Sequence, residues 1–168
     1  MKKFLLTINL ILFFCLSGNS QHIGGGINMG SETLFGANLT YIHSLDDNYS
    51  FNFDVVWFLP HTTNKAYVDY VVKRFEMNGN YQYNINLLGL NIYPYAGLNI
   101  SHIVTDKNLT TTSDQRLNTS NSEFEIGLNL GVGVIIPLQK QFDVFVDGRY
   151  TFHDYDQLLI KGGLLFNL

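Results

Sequence analysis

The stretch QFDVFVDGRYTFHD (residues 141–154) alternates between apolar and polar side chains, one residue at a time. Neighbouring residues of a β-strand point to opposite faces of its sheet, so the stretch predicts a strand with one apolar and one charged face. The apolar positions are Phe142, Val144, Val146, Tyr150 and Phe152, and the polar positions are Asp143, Asp147, Arg149, Thr151 and His153. A soluble sheet turns its charged face to water, whereas a transmembrane barrel can turn that face to its own interior. The choice between these two arrangements decides the class of protein.

The composition of the chain differs from that of an ordinary soluble domain. The sequence has 168 residues, enough for one domain, of which 46% are hydrophobic and only 14% are charged. A typical soluble domain has about 25% charged residues. No run of about 18 apolar residues occurs, which argues against a membrane-spanning helix. Basic runs are absent as well, so we expect no nucleic-acid partner.

The first 20 residues have the features of a cleaved signal peptide. Two lysines are followed by an apolar stretch, and small residues precede Gln21. We therefore predict a signal peptide at 1–20 and one mature domain at 21–168. Cleavage would remove Cys15, the only cysteine, so no disulfide is expected. It would also remove two of the 10 basic residues and none of the 14 acidic ones, leaving a formal charge of −6.

Alternation with a period of two residues recurs along the mature chain and predicts eight strands. They are expected at 21–29, 34–44, 49–59, 67–84, 91–104, 123–136, 141–153 and 157–168. No helical pattern with capping residues competes with them. The predicted fold is all-β, and the question becomes how eight strands are closed.

The connections between these strands alternate in length. Residues 45–48 and 137–140 read as tight turns, whereas 60–66 and 105–122 read as longer polar loops. If the first strand runs outward, the tight turns share the inner side and the long loops share the outer side. This is the pattern of outer-membrane barrels. The apolar connection 85–90 is the one that fits the pattern least well.

The polar face of the strands is built from small residues and charges of both signs. A soluble sheet would cover such a face with Lys and Glu and would avoid glycine, which weakens strands. An eight-stranded barrel has an interior just wide enough to be filled by side chains. We therefore predict that the polar face lines a filled lumen, in which the charged network consists of Asp54, Arg74, Glu76, Glu123, Glu125, Asp143, Asp147 and Arg149.

The apolar face forms long rows that a monomeric soluble protein of this size could not cover. Strands can cross hydrocarbon only as a closed barrel, because open N–H and C=O groups would find no partner there. Aromatic rings near strand ends suit the headgroup level of the bilayer. The rings assigned to this level are those of Tyr49, Trp57, Tyr81, Tyr83, Tyr93 and Phe152. The fold predicted from the residues is thus an eight-stranded antiparallel up-and-down transmembrane β-barrel.

Three segments carry a resemblance to a known family. They are FEMNGNYQYNI…YPYAGLNIS, EIGLNLGVGVIIPLQKQFDVFVDGRYTF and the terminal LLIKGGLLFNL. Together they resemble the small outer-membrane β-barrels of Gram-negative bacteria, the group of the OmpA transmembrane domain and OmpX. The resemblance implies a location in the cell outer membrane, contact with outer-membrane lipid and a monomeric barrel.

The last strand resembles the terminal signal of this family. Gly163, Phe166 and Leu168 match a glycine followed by alternating apolar or aromatic residues. In the family this signal is recognised by the barrel-assembly machinery, so the resemblance implies that machinery as a partner. The chain ends in Leu168, where the family pattern has an aromatic residue.

Several functions are compatible with such a barrel. We favour a non-enzymatic surface protein whose outer loops, 60–66 and 105–122, contact surface partners. The first alternative is a narrow porin-like channel for small solutes, and a soluble lipocalin-like binder is the third hypothesis.

An enzyme that modifies lipid A is a further alternative, because some similar barrels carry a histidine, a serine and an acid near the outer rim. His102 is the best candidate for the histidine, but the next residue of its face, at position 104, is Val. The residues His153 to Asp156 are a weak metal motif. We therefore predict no catalytic residue, no metal and no cofactor.

Two substitutions separate the two faces of the predicted barrel. Leu130→Arg, near the middle of the lipid-facing side, is expected to cost about 2–4 kcal/mol of folding stability in the membrane. Asn129→Ser, on the inner face, is expected to be mild.

Overall fold

The computed structural model describes residues 21–31, 35–65, 68–110, 116–153 and 156–168, which form ten β-strands. Their bounds are Gln21–Gly30 (β1), Gly36–Ser44 (β2), Tyr49–Phe58 (β3), His61–Lys65 (β4), Val68–Tyr83 (β5), Ile85–Leu87 (β6), Leu90–Thr110 (β7), Arg116–Gln139 (β8), Phe142–Phe152 (β9) and Gln157–Asn167 (β10). This part of the chain has no helix that is long and apolar enough to cross a membrane. The predicted signal peptide lies outside the described residues.

Eight of these strands close into an antiparallel barrel, which confirms the predicted fold class. Around the barrel the order is β5, β3, β2, β1, β10, β9, β8 and β7, and β7 pairs again with β5. The first and last strands meet with Gly25 opposite Leu164. Because each of the eight strands has a neighbour on both sides, the membrane-spanning part exposes no backbone edge to lipid.

The end of the barrel that holds Gln21 and Leu168 is compact. The N–H of Leu168 donates to the carbonyl of Gln21 at 2.9 Å. Here the apolar connection 85–90 is a tight hairpin, because β6 pairs with the start of β7 around Leu88 and Gly89, whose φ angles are 52° and 81°. Two positive φ angles are typical of a two-residue hairpin turn. We call this end, which also holds the β2–β3 and β8–β9 turns, the inner end.

The opposite, outer end is uneven in height, and here two loop predictions are wrong. Most of the segment 60–66 is strand β4, which pairs with Val68–Val72 of β5. Most of the segment 105–122 is also strand, because β7 runs on to Thr110 and β8 begins at Arg116. Strand β4 and the outer parts of β5, β7 and β8 (residues 68–74, 103–110 and 116–125) therefore form a four-stranded outer sheet that rises above the rest of the rim.

Residues 60–66 and 105–122 were predicted as loops because their sequences lack the alternation of apolar and polar residues that marks a strand with one apolar face. In its place the sheet depends on backbone pairing, which in the β7–β8 hairpin runs from Asn91 opposite Ile135 to Thr110 opposite Arg116.

Within the barrel, the alternating sequence produces an apolar outside and a polar inside. Leu128, Leu130 and Val132 are all more than half exposed on the outer surface. Asn129, between two of them, is 3% exposed in the interior. The stretch 141–154 has the same arrangement, since Val146 lies on the outer surface while Asp147 is buried in the interior. Water therefore contacts neither face of these strands in the membrane.

Tyr93 contradicts its predicted place in the aromatic girdle. Its ring is 1% exposed and lies in the interior beside Tyr95. The reason lies on the neighbouring strand, where Gly133 is opposite Tyr93 and Gly131 is opposite Tyr95. A Cβ atom added to Gly133 would lie 2.3 Å from the Tyr93 ring, so only glycine leaves room for it. The other predicted girdle rings, of Tyr49, Trp57, Tyr81, Tyr83 and Phe152, are on the outer surface.

Candidate functional site

The centre of the interior is an ion-paired cluster around Arg149. Its guanidinium lies 2.5 Å from a carboxylate oxygen of Glu76 and 3.4 Å from one of Asp54. Lys161 also contacts Asp54, at 3.1 Å, and Asp147 at 3.6 Å. All of these side chains are at most 1% exposed. A buried charge is tolerated when it is paired and hydrogen-bonded, and here every charge has a partner of opposite sign.

A second layer closes the lumen on the outer side of this cluster. The Nε of Arg74 lies 2.8 Å from Glu76, and its Nη2 donates to Nε2 of His153 at 2.6 Å. Nδ1 of His153 is 3.7 Å from a carboxylate oxygen of Glu125. Arg74, Arg149 and Lys161 together balance the three carboxylates of Asp54, Glu76 and Asp147. The core of the network is therefore neutral.

Hydrogen-bonded amides and hydroxyls fill the space between the charges. The Nδ2 of Asn129 donates to the side-chain oxygens of Asn78 and Asn80, at 2.9 Å each. Asn129 in turn accepts a hydrogen bond from the Thr151 hydroxyl at 2.9 Å, and Asn99 donates to Asn78 at 2.7 Å. The sequence pattern placed the asparagines inside but did not indicate that they form one network.

Towards the inner end the lumen is filled by a mixed apolar layer. A cluster of buried residues comprises Ile42, Tyr93, Tyr95, Ile135, Phe145 and Leu165. The Tyr95 hydroxyl donates to Asp147 at 2.8 Å, which links this layer to the ion pairs. Nδ1 of His22 lies 3.7 Å from Asp143, so that predicted carboxylate is near the inner mouth rather than in the central cluster.

Of the eight residues predicted for the network, Glu123 is the one that the structure does not bring into the interior. Its side chain is exposed on the inward-facing side of the outer sheet, where it accepts a hydrogen bond from Asn121 at 2.6 Å. Glu123 keeps the inward phase of its strand. However, it lies in the outer part of β8, beyond Leu128, where the described pairing with β9 begins, and its side chain is exposed. Lys161, in contrast, was missed. Its inward phase in β10, between Leu159 and Gly163, was the signal that could have identified it.

The outer surface carries a second feature, a histidine–serine contact. Nε2 of His102 is 2.8 Å from the hydroxyl of Ser122, and the His102 ring stacks on Phe124 with centroids 4.5 Å apart. The serine comes from the neighbouring strand, which the search along the strand of His102 could not find. Among the described residues, no carboxylate is recorded within ion-pair distance of His102. Within the described part of the chain, the contact has no third group that would orient the histidine as a general base.

The remaining predicted positions, those of the assembly signal, run from the middle of β10 to the inner end of the barrel. Phe166 lies on the outer surface against Phe142, with ring centroids 4.8 Å apart, and Gly163 faces the backbone of Gly25. Leu168 closes the sheet at the inner end. The recognition of these three residues by the assembly machinery stays a prediction. The described residues contain no group of three metal-ligating side chains, and two residues of the predicted metal motif, 154 and 155, lie outside them.

An apolar outer surface, a closed backbone and a filled, charge-balanced interior define an integral β-barrel of the outer-membrane class. Over residues 12–165 the sequence matches the family described as the outer membrane protein beta-barrel domain, and the chain belongs to this family. Its place is the outer membrane.

Solved structures of small outer-membrane barrels share this fold. The attachment invasion locus protein Ail of Yersinia pestis is 13% identical, with a TM-score of 0.65 over 90% of this chain and 99% of that one. The N-terminal barrel of OprF from Pseudomonas aeruginosa is 14% identical, with a TM-score of 0.64 over 90% and 98%. A major outer membrane protein of Thermus thermophilus is 13% identical, with a TM-score of 0.67 over 89% and 99%. No curated protein is significantly similar to the chain in sequence.

Proposed function

We propose that the protein is a monomeric, non-enzymatic barrel with a sealed lumen, whose outer sheet contacts partners at the cell surface. The single observation that carries this proposal is the contrast between the two parts of β5, β7 and β8. Their inward side chains are buried and paired inside the barrel, whereas the outer sheet continues the same strands into water. The barrel provides a rigid anchor, and the outer sheet provides the accessible surface.

The interior supports a sealed lumen. Arg149 pairs with Glu76 and Lys161 pairs with Asp54 across the centre, and the apolar layer around Phe145 and Tyr93 fills the inner half. An eight-stranded barrel conducts only when such side chains move aside. The porin-like channel, the first alternative, would require that movement.

Conductance measurements test the sealed lumen. The purified protein, reconstituted in a planar lipid bilayer, is expected to give no steady single-channel current under a voltage ramp. The matched control is a variant whose β7–β8 hairpin is shortened in the outer sheet, as specified below for the test of the surface role. This change leaves the lumen intact, so the variant should also give no steady current. Stable and reproducible conductance steps would replace this part of the proposal with the channel.

The outer sheet supports a role in surface contact. Two of its strands continue for many residues beyond the length of about 9–11 residues that is needed to cross the bilayer, since β7 has 21 residues and β8 has 24. Among the structural neighbours, Ail has been crystallised with the heparin analogue sucrose octasulfate. In this chain the outer part of β8 carries the exposed carboxylate of Glu123, so we propose partners with basic rather than sulfated groups.

The trimmed hairpin tests the surface role. Replacement of residues 103–123 by a two-residue Asn-Gly turn would join β7 to β8 below the top of the outer sheet and would remove Glu123. The trimmed protein is expected to keep its heat-modifiable migration in gels, which reports a folded barrel. Cells that display it are expected to lose adhesion to a cationic protein-coated surface, relative to cells that display the full chain. Equal adhesion of the two strains would contradict the surface role.

The enzyme alternative has its own test. His102→Ala removes the histidine of the His102–Ser122 contact and should leave the mass spectrum of lipid A unchanged in cells that express the protein. A change in acylation that depends on both His102 and Ser122 would contradict the non-enzymatic proposal.

A further inference from the structure

One of the three turns at the inner end of the barrel is apolar. It belongs to residues 85–92, which we call the apolar hairpin and which consist of β6, a two-residue turn and the first residues of β7. The other two turns carry charges, Asp46 and Asp47 between β2 and β3, and Lys140 between β8 and β9. At the tip of the apolar hairpin, Leu88 is 96% exposed. A role of the outer sheet does not explain this leucine, because the outer sheet lies at the opposite end.

The apolar hairpin has one aliphatic and one polar face. The aliphatic face holds two pairs of opposite residues, Ile85 with Ile92 and Leu87 with Leu90. On the other face, Asn86 is opposite Asn91. The Nδ2 of Asn91 donates to the side-chain oxygen of Asn84 at 3.5 Å, and Asn84 is buried in the lumen at 8% exposure. The polar face therefore turns towards the lumen, and the aliphatic face turns away from the barrel axis.

The aliphatic face continues the lipid-facing surface of β5. Ile85 and Leu87 have the same phase along the chain as Tyr81 and Tyr83, whose rings are on the outer surface. The Tyr81 and Tyr83 rings contact the ring of Tyr49 on β3, with centroids 5.5 and 5.1 Å away. The aliphatic face therefore forms one continuous surface with the part of the barrel that contacts lipid.

The length of this uncharged surface matches the thickness of the membrane. Residues 77–105 contain no Asp, Glu, Lys or Arg. Towards the outer end, the surface stops at the exposed ion pair of Lys73 and Asp106, whose charged atoms are 2.8 Å apart. At about 3.3 Å per residue and a strand tilt of about 40°, the outward row from Phe75 to Leu87 spans about 30 Å, the thickness of the hydrocarbon core. With the ion pair in water, the apolar hairpin reaches the other boundary of the hydrocarbon.

The backbone at the tip would favour a different residue in water. Leu88 has a φ angle of 52°, in the left-handed region that residues with a Cβ atom adopt at a cost. Asn followed by Gly is the preferred pair in a two-residue hairpin turn. Leu88 thus combines an unfavourable backbone angle with an exposed apolar side chain. Contact with lipid would offset both, because it removes that side chain from water.

A protein partner, including a second copy of this chain, fits the apolar hairpin less well. A stable protein–protein interface buries about 800 Å² on each partner and involves about 20–30 residues a side. The apolar hairpin is only eight residues long. The turns beside it, which would have to extend such an interface, carry Asp46, Asp47 and Lys140. The small area and the continuity with the lipid-facing wall both favour lipid.

We propose that the apolar hairpin inserts into the membrane leaflet at the inner end, with its aliphatic face and Leu88 in contact with lipid acyl chains. The two charged turns stay in water, so the barrel is anchored on the side of β5 and β7. These strands also carry the outer sheet, and the anchor therefore sets the height of that sheet above the membrane. The inference does not depend on the proposed surface role, which concerns the other end of the barrel.

Spin-label accessibility tests the insertion. The variants Leu88→Cys, Asp47→Cys and Lys140→Cys are made one at a time in a Cys15→Ser background, which has no other cysteine. Each protein is purified from outer membranes, labelled with a nitroxide and reconstituted in phospholipid liposomes. We expect collisions with oxygen, which concentrates in hydrocarbon, to dominate at position 88, and collisions with a water-soluble nickel chelate to dominate at positions 47 and 140. Equal access of the nickel chelate to all three labels would overturn the insertion.

Two further measurements complete this test. A label introduced by Leu90→Cys probes the aliphatic face without altering the strained tip, and it should show the same preference for oxygen. Dipolar broadening between labels at position 88 that disappears on dilution with unlabelled protein would identify a second copy as the occupant and would overturn lipid. Heat-modifiable migration in gels shows that each labelled variant is folded.

A substitution at the tip provides a test in which the two possibilities have opposite signs. In water, Leu88→Asn would stabilise the hairpin, because Asn-Gly is the preferred turn. In lipid, the lost contact outweighs this gain, and the folding equilibrium constant in liposomes is expected to fall about three- to tenfold. Leu45→Asn, in the charged turn between β2 and β3, is the matched control and should change the constant by about twofold or less. A rise of the constant in Leu88→Asn would place the tip in water and overturn the proposal.

Discussion

The interior of the barrel and its outer sheet are built from the same strands, yet their polar residues are in opposite situations. In β8, Asn129 is buried at the centre of a hydrogen-bond network, whereas Glu123, six residues further out and in the same phase, is exposed to water. A polar side chain in the interior cannot exchange its protein partners for water, so its loss leaves other groups unpaired. The height of a residue along the strand, as well as its phase, therefore decides how much stability a substitution costs.

The largest effect is expected from Arg149→Ala. The substitution leaves Glu76 without its closest cation and Asp54 with one cation fewer, so unfolding in lipid should become easier by about 3–5 kcal/mol. Urea titrations of the protein in liposomes, followed by tryptophan fluorescence, measure this difference. Lys107→Ala in the outer sheet is the control and should change stability by less than about 1 kcal/mol. Similar losses for the two variants would remove the distinction between the two regions.

A lipid-facing substitution is expected to have the next largest effect. Leu130→Arg places a charge near the middle of the bilayer, since Leu130 is 58% exposed on the outer surface, and should cost about 2–4 kcal/mol in the same titration. Leu130→Ala controls for the loss of side-chain volume. A cost for Leu130→Arg no greater than that of Leu130→Ala would place this position outside hydrocarbon.

Asn129→Ser is expected to have the third largest effect on stability. Here the structure changes the initial expectation of a mild effect. A serine cannot replace both donor hydrogen bonds to Asn78 and Asn80 together with the acceptor for Thr151, so a cost of about 1–3 kcal/mol is expected. Asn86→Ser, at an exposed position of β6, is the matched control and should be neutral. A neutral Asn129→Ser would mean that the amide network contributes little to the barrel.

The smallest expected effect is a change in the pKa of Asp106, in the outer sheet. The hydrogen bond from Lys73, at 2.8 Å, lowers the pKa of Asp106 below its ordinary value, and a hydrogen bond from Ser120 adds to this. A lowered folded-state pKa stabilises the fold above the ordinary pKa of the carboxyl, and this contribution is lost as the pH falls through the folded value. Lys73→Met should therefore raise the pKa of Asp106, which NMR titration of its carboxyl carbon measures. An unchanged pKa would show that the contact does not persist in solution.

The alternating pattern was sufficient to predict the barrel and the orientation of its walls. It places Leu128, Leu130 and Asn129 on their observed sides, because lipid and lumen impose opposite demands on alternate residues. The pattern failed where the sequence does not alternate, as in residues 60–66 and 105–122. In the outer hairpin the backbone pairing continues the register that β7 and β8 have within the barrel.

The individual side-chain contacts were less predictable than the walls. Tyr93 was assigned to the girdle because aromatic rings near strand ends usually lie there, but its position is decided by Gly133 on the adjacent strand. Lys161 stands beside two glycines in an otherwise apolar strand, so its charge was overlooked although its phase was correct. The contact between His102 and Ser122 required the register of two strands, which a single sequence does not specify.

The height of the outer hairpin determines what can approach it. From His102, β7 continues to Thr110, and at about 3.3 Å per residue this is a rise of about 25 Å before any tilt. Surface glycans that extend further than this would cover the hairpin and shield it from large partners. We therefore expect the proposed surface contacts to depend on the length of the surrounding polysaccharide, and to be strongest in cells whose polysaccharide is short.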